Sequence, residues 1–328
     1  MATHTDVSAA APTAVLRTAG SAPRRATSRP ATSQARREER AGWLFVAPAT
    51  IGITLFVLLP MALAVLFGFT DADGFGNLGF AGLDNYGRAL ADPLFWTSLR
   101  ATALYVLVFV PGVYVVALVM ALLVNGRLPA RAFFRTAFFA PYAISLVVVG
   151  LVWKYILADS TGILVRALVA LGFEAPPSFL GSPDWALWCV AFISIWFFVG
   201  FYMIILLGGL QEIPGELLEA ARMDGAGPWR TLWSVILPML RPTTFFVLVL
   251  ASIAGLAGLQ AFDLIYVMTQ GGPANSTTMG VFYIYQQAFK FNNVGYASAM
   301  ATLYALALLA MTAVAFRITR GGRFDHAD

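Results

Sequence analysis

Six apolar stretches, at roughly residues 43–69, 97–124, 132–157, 188–209, 243–267 and 296–317, leave this chain few ways to fold. Each can cross a hydrocarbon core about 30 Å thick, which needs about 20 helical residues. Inside that core every backbone N–H and C=O must be paired within the protein, so only helices and closed barrels can span it. Barrel strands alternate apolar and polar residues over about ten positions, and none of these stretches alternates. The expectation is an all-α, polytopic membrane protein with six transmembrane helices. The composition agrees: 59% of residues are hydrophobic and 12% charged, against about 25% charged in soluble domains. Pro48, Pro60, Pro111 and Pro141 lie inside the stretches and predict kinked helices, relieved by neighbours in a bundle.

Residues 1–40 form a different block, rich in Ala, Thr, Ser, Pro and Arg and without apolar periodicity. Such a segment buries too little surface to offset its ordering entropy, so a disordered basic tail is expected. The first apolar run continues through Phe69, which favours a retained helix over a cleaved signal peptide. The layout is then a tail at 1–40, a six-helix body at 41–320 and a short tail at 321–328. Cys189 is the single cysteine and sits in an apolar run, where a small buried hydrophobe is expected. His4 and His326 are the only histidines and both are terminal, so the body lacks material for a Ser-His-Asp triad or a His-containing zinc site.

Lysine and arginine predict the orientation. With the amino terminus in the cytoplasm, sixteen of the 21 basic residues fall on the cytoplasmic side. Only Arg88, Arg100, Lys154, Arg166 and Lys290 fall on the other. Both termini, and the polar loop between the fourth and fifth stretches, are therefore expected inside the cell.

That loop, residues 210–241, reads as a helix-turn-helix. Pro214 and Gly215 can open a short helix, and Glu216 and Glu219 lie near its positive amino end. Gly225 stands where a carboxyl cap calls for positive φ. Pro228 can start a second short helix, which Pro238 and Pro242 are expected to end.

The elements Glu219-Ala220-Ala221, Gly225 and Val235-Ile236-Leu237-Pro238 resemble the signature loop of permease subunits of ATP-binding-cassette importers. Val235 stands where that family usually has isoleucine. Gly82-Leu83-Asp84-Asn85-Tyr86, Asp92-Pro93-Leu94-Phe95-Trp96, Asp263 to Thr269, Gly271-Gly272-Pro273 and Gly295-Tyr296-Ala297-Ser298-Ala299 resemble the carbohydrate-uptake branch. The similarity covers most of the chain past residue 41. It extends to the larger permease of the maltose transporter and the first permease of the glycerol-3-phosphate transporter.

The resemblance implies a bacterial inner-membrane subunit that is not itself an enzyme. It would pair with a second, non-identical permease, bind a cytoplasmic ATPase dimer and receive a sugar from an extracytoplasmic solute-binding protein. No nucleic-acid partner is expected. ATP and Mg would be bound by the ATPase, and the residues agree on one point. The only lysines are Lys154 and Lys290, and neither sits in a phosphate-binding P-loop. By the same resemblance, Glu219, Ala220, Ala221, Asp224, Gly225 and Pro238 form the ATPase-coupling element.

For the substrate path, Trp196 and Tyr202 in the fourth stretch and Ser252, Gln260 and Asp263 in the fifth are the candidates. Gln260 and Asp263 are expected on one helix face at i, i+3. Polar groups within a bilayer usually face the bundle interior or a water-filled cavity. Two small-residue pairs, Ala251/Gly255 and Ala254/Gly258, suit close helix packing. An ion-coupled transporter would want ionisable groups deep in the membrane, and only Asp263 and Lys154 approach that. A phosphate ester would favour Arg or Lys in the path, which this chain almost lacks. Neutral sugars are therefore the expected substrate, with glycerol 3-phosphate or another polyol ester as the alternative.

Overall fold

A computed structural model describes residues 33–126, 131–159, 161–258 and 260–320, with side chains from residue 41 to 310 within those ranges and at 313. The greater part of both expected tails, with His4 and His326, lies outside them. Among the described residues the fold is all-α; the only β pairing is an isolated bridge between Thr70 and Phe80. The chain forms two units, one ending at Leu58 and one beginning at Leu59.

The first unit contains α1 (Ser33–Ile53) and a π turn, Thr54–Leu58. The helix starts inside the stretch expected to be disordered. Gln34, Ala35, Arg36, Arg37, Glu38 and Glu39 are good helix formers. The apolar helical run from Ala41 to Phe67 is 27 residues long, enough to cross a membrane.

The second unit begins with α2 (Leu59–Phe67), α3 (Asp84–Ala91) and α4 (Pro93–Asn125). Asp92 caps α4 by accepting from the Leu94 N–H at 2.8 Å, and Pro93 at the first helical position has no N–H to leave unpaired. Next come α5 (Arg131–Phe139), α6 (Leu146–Ile156), α7 (Ile163–Ala170) and α8 (Pro183–Gln211). Ser182 and Pro183 repeat the cap-and-proline start at α8. The loop region holds α9 (Gly215–Met223), α10 (Pro228–Thr231) and α11 (Leu237–Met239). The chain closes with α12 (Arg241–Leu256), α13 (Phe262–Leu264), α14 (Gly280–Tyr285) and α15 (Val294–Arg320).

Among the described residues three helical runs are long and apolar enough to span a membrane: Ala41–Phe67, α4 and α8. The stretches expected as third and fifth spans are not single helices. The third breaks into α5 and α6, joined by a 3₁₀ turn over Ala140–Ala143 and bent by 92°. Pro141 supplies no N–H and its ring excludes a regular turn. The break is also held from outside: a Cβ on Gly200 of α8 would lie 2.1 Å from the Phe138 carbonyl oxygen. Only glycine lets α8 lie backbone to backbone against that bend.

In the fifth stretch α12 stops at Leu256. Gly258 then takes φ +70°, a left-handed conformation in which residues with a Cβ are strained. The chain resumes as α13 and a π turn, Ile265–Thr269. Upstream, the axis bends 71° between Pro228–Met239 and α12.

The main core lies between α4, α8 and α12, where Tyr105, Phe109, Ile193, Met203, Leu206 and Val247 are fully buried. Lipid tails are as apolar as leucine, so close packing rather than water exclusion must hold such helices together. Small residues allow that approach: Ala117, Ala121 and Ala251 have no exposed surface. Ala251 and Gly255 of the expected packing pairs are indeed buried in α12.

A second, smaller core joins Ala89, Phe95, Tyr283, Tyr296 and Met300. Its polar edge is Asp92, whose Oδ2 accepts from the Tyr283 and Tyr296 hydroxyls at 2.6 and 2.7 Å. Burial opposes charge on Asp92, but these hydroxyls and the Leu94 and Phe95 N–H groups outweigh it and hold its pKa below the ordinary carboxylate value.

Candidate coupling loop and substrate path

The loop between α8 and α12 is built by local rules. Glu216 lies in the first turn of α9 and Arg222 in the last, each at the dipole end that favours its charge. The helix ends in a complete Schellman motif: the Ala226 N–H donates to Ala221 O at 2.9 Å and the Gly225 N–H to Arg222 O at 3.0 Å. Gly225 carries φ +75°. A Cβ there would meet nothing within 4 Å, so its requirement is conformational rather than steric.

Gly227 and Pro228 start α10. The second helical run ends at Met239, between Pro238 and Pro242 as expected, but it is not a regular α-helix up to that point. A π turn over Leu232–Ile236 precedes Pro238, helix continues through Met239, and the chain bends at Leu240. The wider π turn accommodates a residue that cannot donate its own N–H.

Glu219, Ala220, Asp224 and Gly225 are exposed, while Ala221 and Pro238 are half-buried. Met223, Trp229 and Trp233 are also exposed. With Glu216, also exposed, the loop presents three carboxylates, a tight glycine turn and apolar side chains together.

Of the substrate-path candidates, the structure brings Tyr202 and Gln260 together. Tyr202 has no exposed surface and Gln260 is 5% exposed. The Gln260 Nε2 donates to the Tyr202 hydroxyl at 2.7 Å. Gln260 lies in the break after α12 and not on a helix, so the expected i, i+3 face with Asp263 does not form. The break instead frees carbonyls that other helices satisfy. Ser194 donates to Gln260 O at 3.1 Å, and Tyr105 reaches the same oxygen at 3.5 Å. Tyr304 donates to Leu256 O. Hydroxyls from α4, α8 and α15 thus converge on one interrupted helix, the arrangement that makes a break tolerable inside a membrane. Among the described residues the Gln260 Oε1 is buried without a partner.

Trp196 stands apart from this cluster, 39% exposed and edge-on to Trp153 at 5.7 Å. Ser252 on α12 and Asp263 on α13 are half-buried and take no part in these hydrogen bonds. Sequence reasoning missed Tyr105 and Ser194. A signal existed: Ser98, Thr102 and Tyr105 follow helical spacing within an apolar run, and all three are buried. Thr102 also accepts from the Gly280 N–H at 3.0 Å, tying α4 to α14.

Residues 113–321 match the family model described as binding-protein-dependent transport system inner membrane component. A sulfoquinovosyl glycerol transport system permease of Agrobacterium fabrum is 36% identical over 279 residues, covering 84% of this chain and 89% of that protein. A multiple sugar-binding transport system permease of Streptococcus mutans is 35% identical over 263 residues, covering 80% and 89%. A lactose transport system permease of Rhizobium radiobacter is 33% identical over 284 residues, covering 85% and 94%. The fold is shared with a chain of a bacterial alginate ABC transporter, solved with an alginate pentasaccharide-bound periplasmic protein. Its TM-score is 0.76 at 22% identity, covering 89% of this chain and 98% of that one. With the Glu219–Pro238 loop and the interrupted fifth span in place, these likenesses make the chain a member of the binding-protein-dependent transport family, an inner-membrane permease component of an ABC transport system.

Proposed function

We propose that this chain is a permease subunit of an ATP-driven sugar importer, forming half of the translocation path and coupling it to a separate ATPase. The observation that carries the coupling role is the exposed, Schellman-capped α9–α10 unit with Glu219 and Asp224 outward. A rigid, polar projection of this kind can transmit force between two proteins without chemistry of its own. The chain carries no P-loop, so ATP and Mg belong on a cytoplasmic ATPase dimer, with the loop and both termini on the same side. A second, non-identical permease completes the path, and an extracytoplasmic solute-binding protein delivers the sugar.

Glu219 serves as the charged contact and Gly225 as the turn that fixes α10 against α9, with Ala220, Ala221 and Asp224 completing the surface and Pro238 in the exit. In the path, Tyr202 and Gln260 are the groups this chain offers to a sugar hydroxyl. Arg and Lys are absent from their cluster, which favours a neutral sugar over a phosphate ester. In vesicles holding the assembled transporter, Glu219→Lys is expected to abolish uptake while basal ATP hydrolysis persists. Gly225→Val does the same through a strained turn. Normal substrate-stimulated hydrolysis and uptake in both variants would remove the coupling role.

A further inference from the structure

Beside the α9–α10 unit lies a cavity of about 570 Å³ that the coupling role does not use. Leu122 of α4, Leu218 and Arg222 of α9, Trp229 of α10, and Leu232 and Ile236 of the π turn form most of its wall. Its size falls within the roughly 300–1,000 Å³ of ligand pockets. Among the described residues Arg222 is the one charged residue lining it, and its side chain has no carboxylate partner there. Glu216, Glu219 and Asp224 sit on the same unit but do not line the cavity. An apolar wall with one unpaired guanidinium matches a ligand with an apolar tail and an anionic head.

The depth agrees with such a ligand. Helix α4 has 33 residues; at 1.5 Å rise per residue it is about 50 Å long, against a core of about 30 Å. Its ends therefore reach headgroup depth, and Leu122 lies one turn from its end at Asn125. Trp229 and Trp233 are 72% and 59% exposed, with rings 6.0 Å apart. Exposed indoles of this kind mark a membrane–water interface.

We propose that this cavity holds an anionic phospholipid of the cytoplasmic leaflet, its phosphate on Arg222 and an acyl chain against Leu122, Leu218, Leu232 and Ile236. The proposal rests on the cytoplasmic placement of the loop given above. A lipid seated there links the end of α4 to the coupling unit, so leaflet composition becomes an input to coupling.

The test uses the full-length chain, purified without ATPase or nucleotide and equilibrated with phosphatidylglycerol or phosphatidylcholine of identical chains. Native mass spectrometry counts the retained lipid. The wild type is expected to retain phosphatidylglycerol preferentially. Arg222→Gln should reduce that preference about fivefold, the equivalent of about 1 kcal/mol for one basic residue near an anionic surface, whereas Arg222→Lys keeps most of it. Ala226→Trp, which fills the cavity from its wall, should lower retention of both lipids while circular dichroism stays unchanged. Equal retention of the two lipids by the wild type would overturn the proposal, as would a preference indifferent to Arg222→Gln. Full competition by glycerol phosphate lacking acyl chains would also overturn it. With no ATPase present, such failures leave the coupling role standing. If, in a separate co-expression with the ATPase, Arg222→Gln loses ATPase co-purification while the isolated chain keeps its lipid preference, the cavity serves the protein partner and the lipid assignment is wrong.

Discussion

Gln260 is buried yet incompletely satisfied. Its amide nitrogen has Tyr202 and its backbone carbonyl has Ser194 and Tyr105, but among the described residues Oε1 is buried with no partner. A buried unmet acceptor costs about 1–3 kcal/mol, and residues kept at such a cost tend to mark functional sites. Gln260→Met removes the unmet oxygen at similar volume. Losing the donor to the Tyr202 hydroxyl offsets that relief, so the melting temperature in detergent is expected to stay unchanged while uptake falls about tenfold. Tyr202→Phe strands the Gln260 amide nitrogen instead and should lower the melting temperature. Parallel losses of stability and uptake in Gln260→Met would assign the amide a purely structural role.

Among the elements, two glycines that look alike in the sequence do different work. Gly200 lies on α8 where a Cβ would sit 2.1 Å from the Phe138 carbonyl, whereas Gly225 has open space and φ +75°. Gly200→Ala must push α8 away from the α5–α6 bend and is expected to abolish accumulation of folded chain. Gly225→Ala pays only the left-handed backbone term of about 1–2 kcal/mol and should lower the melting temperature by a few degrees. Fluorescence-detected gel filtration and thermal scans check both. The Gly225 turn was legible because its cap closes within six residues of chain. The Gly200 contact was not, because its partner is 62 positions away (Phe138) and nothing in either local pattern announces it.

For the whole molecule, the proposed orientation places sixteen basic residues on the cytoplasmic side against five on the other. Cys189 is the only native cysteine, so a Cys189→Ser background permits single-site labelling. Phe173→Cys, 58% exposed between α7 and α8, should react with a membrane-impermeant maleimide on intact cells. Met223→Cys, 88% exposed on α9, should react only after permeabilisation. The reverse pattern would place the coupling loop outside and defeat the proposed function.

By itself the sequence determined the membrane-spanning character, the helical class and the capped turn at Gly225. The reason is that hydrophobic length, charge asymmetry and a helix cap are all written in neighbouring residues. Tertiary structure alone decided where the third and fifth stretches break and what repairs the breaks. Carbonyls freed near Gly258 take hydroxyls from Tyr105, Ser194 and Tyr304, between 48 and 155 positions away. A proline or glycine signals that a helix can break, but only the helices packed around it supply the donors that make the break stable.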